Sequence, residues 1–142
     1  MAGPFTIDAS VFLNGFNPAE EGHATSLEFL SHLQDQAVPV IAPTLLLPEV
    51  AAAIGRGQDS SDLARQFAES LSQLPHLVLV ALDESLARQA VEVAAQYRLR
   101  GADAVYVAVA LRFGCPLVTL DREQHDRAAG ALQTFYPVEV VL

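Results

Sequence analysis

The sequence contains no lysine: all eight basic residues among its 142 are arginines, and 17 acidic residues bring the formal net charge to −9. Without lysine the chain can form no Schiff base, and it has neither a phosphate-loop lysine nor a lysine partner for an aspartyl phosphate. The acidity argues against long-range capture of nucleic acid, which normally rests on a basic surface. A local arginine cluster facing phosphate is still compatible with this balance, because guanidinium groups bind phosphate in a fork geometry.

Cysteine occurs once, at Cys115, so no internal disulfide can form. Its place between a glycine and a proline at the start of an apolar run favours a buried small hydrophobe over a reactive thiol. The sequence also lacks a basic segment near Met1 and a continuous apolar span of membrane length. We therefore expect a soluble, unprocessed, cytoplasmic protein with no membrane contact, folded as one domain over residues 1–142.

Short apolar runs of strand type alternate with amphipathic stretches of helical length, a pattern typical of βαβ units and a parallel sheet. Strands are predicted at 5–9, 38–42, 76–82, 116–120 and 138–142. Helices are predicted at about 19–36, from Thr44 or Pro48 to Gly55 or Gly57, at 60–74, 83–99 and about 100–114, and as a short helix within 122–132. The predicted fold class is α/β.

Four acidic residues fall where such a sheet would place a binding site, at the carboxyl ends of its strands. Asp8 ends the first strand and Asp121 follows the fourth. Asp103 heads the helix before the fourth strand, and Glu49 lies among apolar residues in the helix after the second. Taken singly, each aspartate has a structural explanation as a helix cap or turn former. Glu49 would need a partner if buried, and Arg56, two helical turns on, is the nearest base.

Taken together, these four carboxylates predict a cation site. They would repel one another and raise some of their pKa values unless a cation lay among them. Ligation by oxygen alone is the preference of Mg²⁺ or Mn²⁺. The histidines form no zinc-like pair: His23, His32, His76 and His125.

Three segments resemble the PIN-domain family, in particular the VapC-type ribonuclease toxins of type II toxin–antitoxin pairs: FTIDASVF, PTLLLPEVAAAI and YRLRGADAVYVAVALRFGCPLVTLDRE. The resemblance covers essentially the whole chain. Its most specific part is residues 97–123, where the aspartate of G-A-D-A is followed by a V-T-x-D strand end. It implies a three-layer α/β/α sandwich, with a mainly parallel five-stranded sheet of order 3-2-1-4-5 and an acidic, metal-dependent nuclease site.

The resemblance also implies roles for single residues. The family's acids fall on Asp8, Glu49, Asp103 and Asp121, with Ser10 and Thr119 at supporting polar positions. Asp8 and Asp103 would hold the main Mg²⁺ or Mn²⁺, with Asp121 ligating directly or through water, and Glu49 would bind a second metal or orient the attacking water. The sequence leaves open whether one or two metals bind. It also leaves open whether Glu123 or Asp126 adds a further acid.

The expected activity is endonucleolytic cleavage of RNA phosphodiester bonds by a toxin that is homodimeric and is neutralised by an antitoxin bound across the active site. The candidate RNA-binding residues are Arg56, Arg98, Arg100 and Arg122. One alternative is a PIN-domain RNA-processing nuclease without an antitoxin. Another is an inactive binding or dimerisation module, which the presence of all four acids disfavours. A receiver-like or haloacid-dehalogenase-like phosphotransfer domain is disfavoured by the absence of lysine.

Overall fold

Five short parallel strands lie at the centre of the computed structural model, which describes residues 3–140. They are β1 (Thr6–Ile7), β2 (Val40–Pro43), β3 (Leu77–Val80), β4 (Leu117–Val118) and β5 (Thr134–Phe135). β1 pairs with β4 and β4 with β5, while β2 pairs with β3. A single parallel bridge between Phe5 and Val40 joins the two sets. The order is therefore β3-β2-β1-β4-β5, which confirms the predicted sheet order and the α/β class.

Seven α-helices within residues 3–140 connect and cover the strands. They are α1 (Ala9–Phe16), α2 (His23–Asp35), α3 (Leu46–Gln58), α4 (Ser61–Ser72), α5 (Glu84–Tyr97), α6 (Gly101–Phe113) and α7 (Arg122–Ala128). Four of them begin at a side chain that accepts a backbone N–H of the first turn: Asp8, Ser60, Asp83 and Asp121. Helix α6 ends at Gly114, whose φ of 65° lies in the left-handed region that favours glycine. No helix within residues 3–140 is long and apolar enough to cross a bilayer.

Helix α6 forms the centre of the hydrophobic core. Its residues from Ala104 to Ala110 are all buried, and the helix packs against β1, β2, β4 and α5. A helix that is apolar on every side is stable only when protein surrounds it. The core therefore fixes the position of α6 and, with it, of the acid in its first turn. Cys115, next to this helix, is buried as predicted.

Two elements differ from the prediction. The first strand ends at Ile7, and residues 9–16 form α1, because Asp8 accepts the N–H of Ser10 and starts a helix there. The closing strand predicted at 138–142 is wrong. The last strand in the described part of the chain is β5, and Pro137–Glu139 form a 3₁₀ turn whose first residue is a proline, which donates no ladder hydrogen bond. Residues 141 and 142 of that predicted strand lie outside the described residues.

Candidate active site

The four predicted acids line one cleft of about 340 Å³ at the carboxyl ends of β1, β2 and β4. Asp8 follows β1, Glu49 lies in the first turn of α3 after β2, and Asp121 follows β4. Asp103 reaches the same cleft from the first turn of α6. Ser10, Arg100 and Tyr106 complete the polar lining. The chain thus brings together side chains that are up to 113 positions apart (121 − 8) in the sequence.

Asp8 is the most deeply buried of the four acids, with 5% of the residue exposed. Its Oδ1 accepts hydrogen bonds from the hydroxyl of Ser10 at 2.5 Å and from the Ser10 N–H at 3.2 Å. Its Oδ2 accepts one from the hydroxyl of Thr119 at 2.8 Å. The Ser10 hydroxyl in turn accepts the N–H of Leu120 at 3.0 Å, which ties the start of α1 to the end of β4. Ser10 and Thr119 therefore both hold the carboxylate in place.

The pKa of Asp8 is raised to about 7, mainly by burial and to a smaller extent by the nearby carboxylates of Asp103 and Glu49. The hydrogen bonds from Ser10 and Thr119 lower the pKa but do not cancel the effect of burial. An ionised Asp8 is thus energetically costly as the cleft stands. A positive charge next to it would reduce that cost.

Glu49 has a tyrosine as its partner. The Tyr106 hydroxyl donates to Glu49 Oε1 at 2.6 Å, and the tyrosine is almost completely buried within α6. Burial raises the pKa of Glu49, Tyr106 lowers it, and Asp103 raises it. Burial and the glutamate together raise the pKa of Tyr106, so the phenol stays protonated and acts as a donor. Arg56, the base considered as a partner for Glu49, lies exposed in the last turn of α3.

Arg100 joins Asp103 to Asp121. Its Nε donates to Asp103 Oδ2 at 2.8 Å, and its Nη2 donates to Asp121 Oδ2. The pKa of Arg100 is raised by these two carboxylates. Burial raises the pKa of Asp103 despite the arginine. The pKa of Asp121 is lowered, because the N–H of Gln124 and the guanidinium of Arg100 outweigh its partial burial.

Glu123 is closer to this group than Asp126. Its Oε2 lies 3.8 Å from Arg100 Nη2, and its Oε1 pairs with Arg127 Nη1 at 3.0 Å. Asp126 instead lies 3.0 Å from His125 Nδ1. The structure therefore places Glu123 at the edge of the acidic group. It places Asp126 in a separate contact.

Two polar residues near the acids escaped the sequence analysis: Tyr106 and Gln124. Gln124 is completely buried, and its Oε1 lies 3.1 Å from the Thr119 hydroxyl, while its Nε2 has no hydrogen-bond partner among the described residues. A half-turn of the amide would let Nε2 donate to Thr119 while Thr119 donates to Asp8. The available signals were a tyrosine inside an apolar helix and a glutamine three residues after Asp121.

The candidate RNA-binding arginines do not all lie at the cleft. Arg100 lines it, and Arg122 begins α7 directly after Asp121. Arg98 lies at the end of α5, where its carbonyl accepts a hydrogen bond from Arg127. Arg56 is exposed at the end of α3. Of the four, Arg100 and Arg122 are the best placed to meet a substrate in the cleft.

The donor set fits a hard divalent cation, because every candidate ligand is a carboxylate oxygen. The buried charge of Asp8, flanked by two further acids, would be relieved by such an ion. Within residues 3–140, no three His, Cys, Asp or Glu side chains are already arranged to enclose a metal ion. Two of the four acids are paired with Arg100 instead.

Comparison with known proteins gives the family and the fold of the chain. The PIN domain family model matches residues 5–130. No curated protein matches the sequence. VapC20 from Mycobacterium tuberculosis, described as a sarcin–ricin-loop-cleaving toxin, has a similar structure with a TM-score of 0.74 and 17% identity, over 91% of this chain and 96% of that one.

Two further solved structures are similar. FitAcB from Neisseria gonorrhoeae gives a TM-score of 0.72 and 17% identity, over 96% of this chain and all (100%) of that one. A chain of a toxin–antitoxin complex from Klebsiella pneumoniae gives 0.68 and 18%, over 97% of this chain and 100% of that one. At these sequence identities the structural similarity shows the fold alone. The family is shown by the match to the PIN domain model, which spans most of the sequence. The chain belongs to the PIN-domain family.

Proposed function

We propose that the protein is a divalent-metal-dependent endoribonuclease and the toxin of a toxin–antitoxin pair, acting as a single domain. The observation that carries the proposal is the meeting of Asp8, Glu49, Asp103 and Asp121 in one cleft. Without a cation, four carboxylates around one cleft repel one another and lower the stability of the folded state. Such an arrangement suits the cleavage of a phosphodiester, in which charge develops on the phosphate and leaving oxygens.

Asp8 and Asp103 are the best candidates for holding the main Mg²⁺ or Mn²⁺. The two carboxylates are close enough for Asp103 to raise the pKa of Asp8. The hydrogen bonds within residues 3–140 leave Asp103 Oδ1 without a donor, so this oxygen is available to a ligand. Ser10 and Thr119 orient Asp8, and outer contacts of this kind fix the geometry of metal ligands. When bound, the metal would activate a water and neutralise charge on the phosphate.

Glu49 is the candidate for receiving the proton of the attacking water. Tyr106 holds Glu49 Oε1, which leaves Oε2 as the atom that can accept a proton. The raised pKa of Glu49 makes it a better base than an ordinary exposed glutamate. Glu49 could equally hold a second metal ion. Phosphates of the RNA on either side of the scissile bond would meet Arg100 and Arg122.

The toxin role and the partners are argued from the similar structures. VapC20 is described as a toxin that cleaves the sarcin–ricin loop, and another similar chain was solved in a toxin–antitoxin complex. We accordingly propose an RNA substrate, a cognate antitoxin that covers the cleft and supplies positive charge, and a homodimer in the cytoplasm. Co-purification with the product of an adjacent small open reading frame, and loss of nuclease activity in that complex, would test the antitoxin.

The nuclease proposal is tested on a panel of structured RNAs with Mg²⁺ or Mn²⁺. We expect wild-type protein to cleave, and the variants Asp8→Asn and Asp103→Asn to lose roughly 100-fold or more of the activity, because each removes a metal ligand. Asp62→Asn is the matched control, since Asp62 is an exposed acid paired with Arg65 outside the cleft. Equal cleavage by all four proteins, or none by any of them, would contradict the proposal.

A further inference from the structure

The side chain of Arg100 lies between two acids that the proposed metal site needs. It donates from Nε to Asp103 and from Nη2 to Asp121, and its Nη2 also lies 3.8 Å from Glu123. The side chain is 56% exposed, compared with 17% for Asp103 and 32% for Asp121. An exposed cation thus covers two more buried anions at the mouth of the cleft.

These contacts affect the two acids differently. Asp121 has both oxygens engaged, because Oδ1 accepts the Gln124 N–H at 3.0 Å and Oδ2 accepts from Arg100. Among the described residues, the Asp103 side chain accepts a hydrogen bond only from Arg100, through Oδ2. A divalent ion between Asp8 and Asp103 therefore has a ready oxygen on Asp103. Withdrawal of Arg100 would free Asp121 Oδ2 for the same ion.

We propose that Arg100 is an exchangeable counter-ion: it bridges Asp103 and Asp121 in the metal-free protein and leaves both carboxylates when a divalent cation binds. The proposal rests on the metal site proposed above. In this proposal Arg100 controls the affinity for the metal as well as contacting RNA.

The charge and contacts that the cleft loses when Arg100 leaves are replaced when a divalent cation binds. A divalent cation brings twice the charge of the guanidinium into a cleft that holds four carboxylates. Withdrawal of the arginine exposes little apolar surface, because its side chain is already more than half exposed. The backbone of Arg100 is fixed by the start of α6, so its released side chain stays at the rim of the cleft. There it can pair with a phosphate oxygen, which replaces the two carboxylates it has lost.

The first test observes the arginine directly. The Nε–H signal of Arg100 is followed by NMR in metal-free protein and during titration with Mg²⁺, and is assigned by its loss in Arg100→Gln. We expect slow exchange with solvent in the metal-free protein and clearly faster exchange at saturating Mg²⁺. Arg88, whose Nε donates to Glu84 at 3.1 Å on the exposed face of α5, serves as the internal control and should not respond.

The second test measures metal affinity by calorimetric titration of Mn²⁺ into wild type, Arg100→Gln and Arg88→Gln. Removal of the competing cation should tighten Mn²⁺ binding by roughly five- to tenfold in Arg100→Gln, with no change in Arg88→Gln. Metal binding without any change at the Arg100 Nε–H, or a weaker affinity in Arg100→Gln, would overturn the exchange and leave the nuclease proposal intact. Failure of wild type and Arg100→Gln alike to bind Mg²⁺ or Mn²⁺ would overturn both proposals.

Discussion

At the scale of single residues, the site depends on how each carboxylate is compensated. Asp8 is buried among hydroxyl donors, Glu49 is bound by the phenol of Tyr106, and Asp103 and Asp121 share one guanidinium. Only the last pair has a full positive charge beside it. Asp8 is therefore the residue whose ionisation most opposes folding in the metal-free protein.

This imbalance predicts a pH dependence of stability. The folded pKa of Asp8, about 7, lies above its value of 3.8 in an unfolded chain, so the folded state binds the proton more tightly. Asp8 therefore adds to the free energy of unfolding below about pH 4. This contribution, about a few kcal/mol at most, is lost as the pH rises to about 7. Asp8→Asn removes this loss. In urea unfolding with EDTA, the variant should gain stability over wild type towards pH 7.5, and the two should converge near pH 4.5.

Saturating Mg²⁺ provides the control for that experiment. The metal favours the ionised carboxylate, so wild type should regain stability at pH 7.5 while Asp8→Asn gains much less. A constant difference between the two proteins across the pH range would show that Asp8 is not the group responsible.

The positions of the four acids could be predicted from the sequence, but their partners could not. Asp8 and Asp121 follow apolar runs that are recognisable as strands, and strand ends meet at one edge of a parallel sheet. The partner of Glu49 is 57 positions away on another helix. Its identity depends on how α3 and α6 pack, which local pattern does not specify. The contact of Gln124 with Thr119 was not predictable for the same reason, because it depends on how α7 is placed after β4.

At the scale of elements, α6 determines the precision of the site. It carries Asp103 and Tyr106, and through Tyr106 it also positions Glu49. The helix is buried along seven consecutive residues, so its position is set by packing against strands and α5. Damage to that packing should appear first as a loss of stability.

Val107→Ala tests this role of α6. Val107 is fully buried at the centre of the helix, and its truncation should cost about 2 kcal/mol of unfolding free energy. Val91→Ala on α5, where the valine is 63% exposed, should change stability by less than about 0.5 kcal/mol. Urea denaturation measures both. Equal costs for the two substitutions would contradict the central place given to α6.

The long periodic elements were predictable, and the short ones were not. The helices at 60–74 and 83–99 were expected with their caps, because Ser60 and Asp83 precede clear apolar stripes. Helix α1 is only eight residues long and begins immediately after β1. Strands of two residues, such as β5, have no periodicity to detect. The stretch at 138–142 had the stronger strand composition, but Pro137 directs residues 137–139 into a turn.

At the scale of the whole molecule, the proposed activity requires an acidic protein to bind an acidic substrate. With a net charge of −9, attraction to the proposed RNA substrate would have to come from arginines placed near the cleft and from the proposed cation. Arg122 is suited to this role because it is exposed at the start of α7, next to Asp121.

Arg122→Gln should therefore weaken RNA binding several-fold without loss of stability. RNA affinity is measured at low salt in the Asp103→Asn background, in which we expect cleavage to be blocked, and stability is measured by thermal unfolding. Arg65→Gln is the control, since Arg65 is an exposed arginine on α4 paired with Asp62. Unchanged RNA affinity in Arg122→Gln at low salt would exclude Arg122 from the binding surface.

The bridge between Phe5 and Val40 joins two halves of the sheet that carry different acids of the cleft. One half of the sheet consists of β2 and β3, and the other of β1, β4 and β5. Two hydrogen bonds connect the halves: the carbonyl of Phe5 accepts the Ile41 N–H at 2.9 Å, and the N–H of Phe5 donates to the carbonyl of Pro39 at 3.1 Å. Glu49 follows the first half, while Asp8 and Asp121 follow the second. The cleft therefore lies over the junction of the two halves. Helix α6 packs on both β1 and β2 and so holds the halves together. The distance between Glu49 and the two aspartates therefore depends on how α6 holds the two halves of the sheet together.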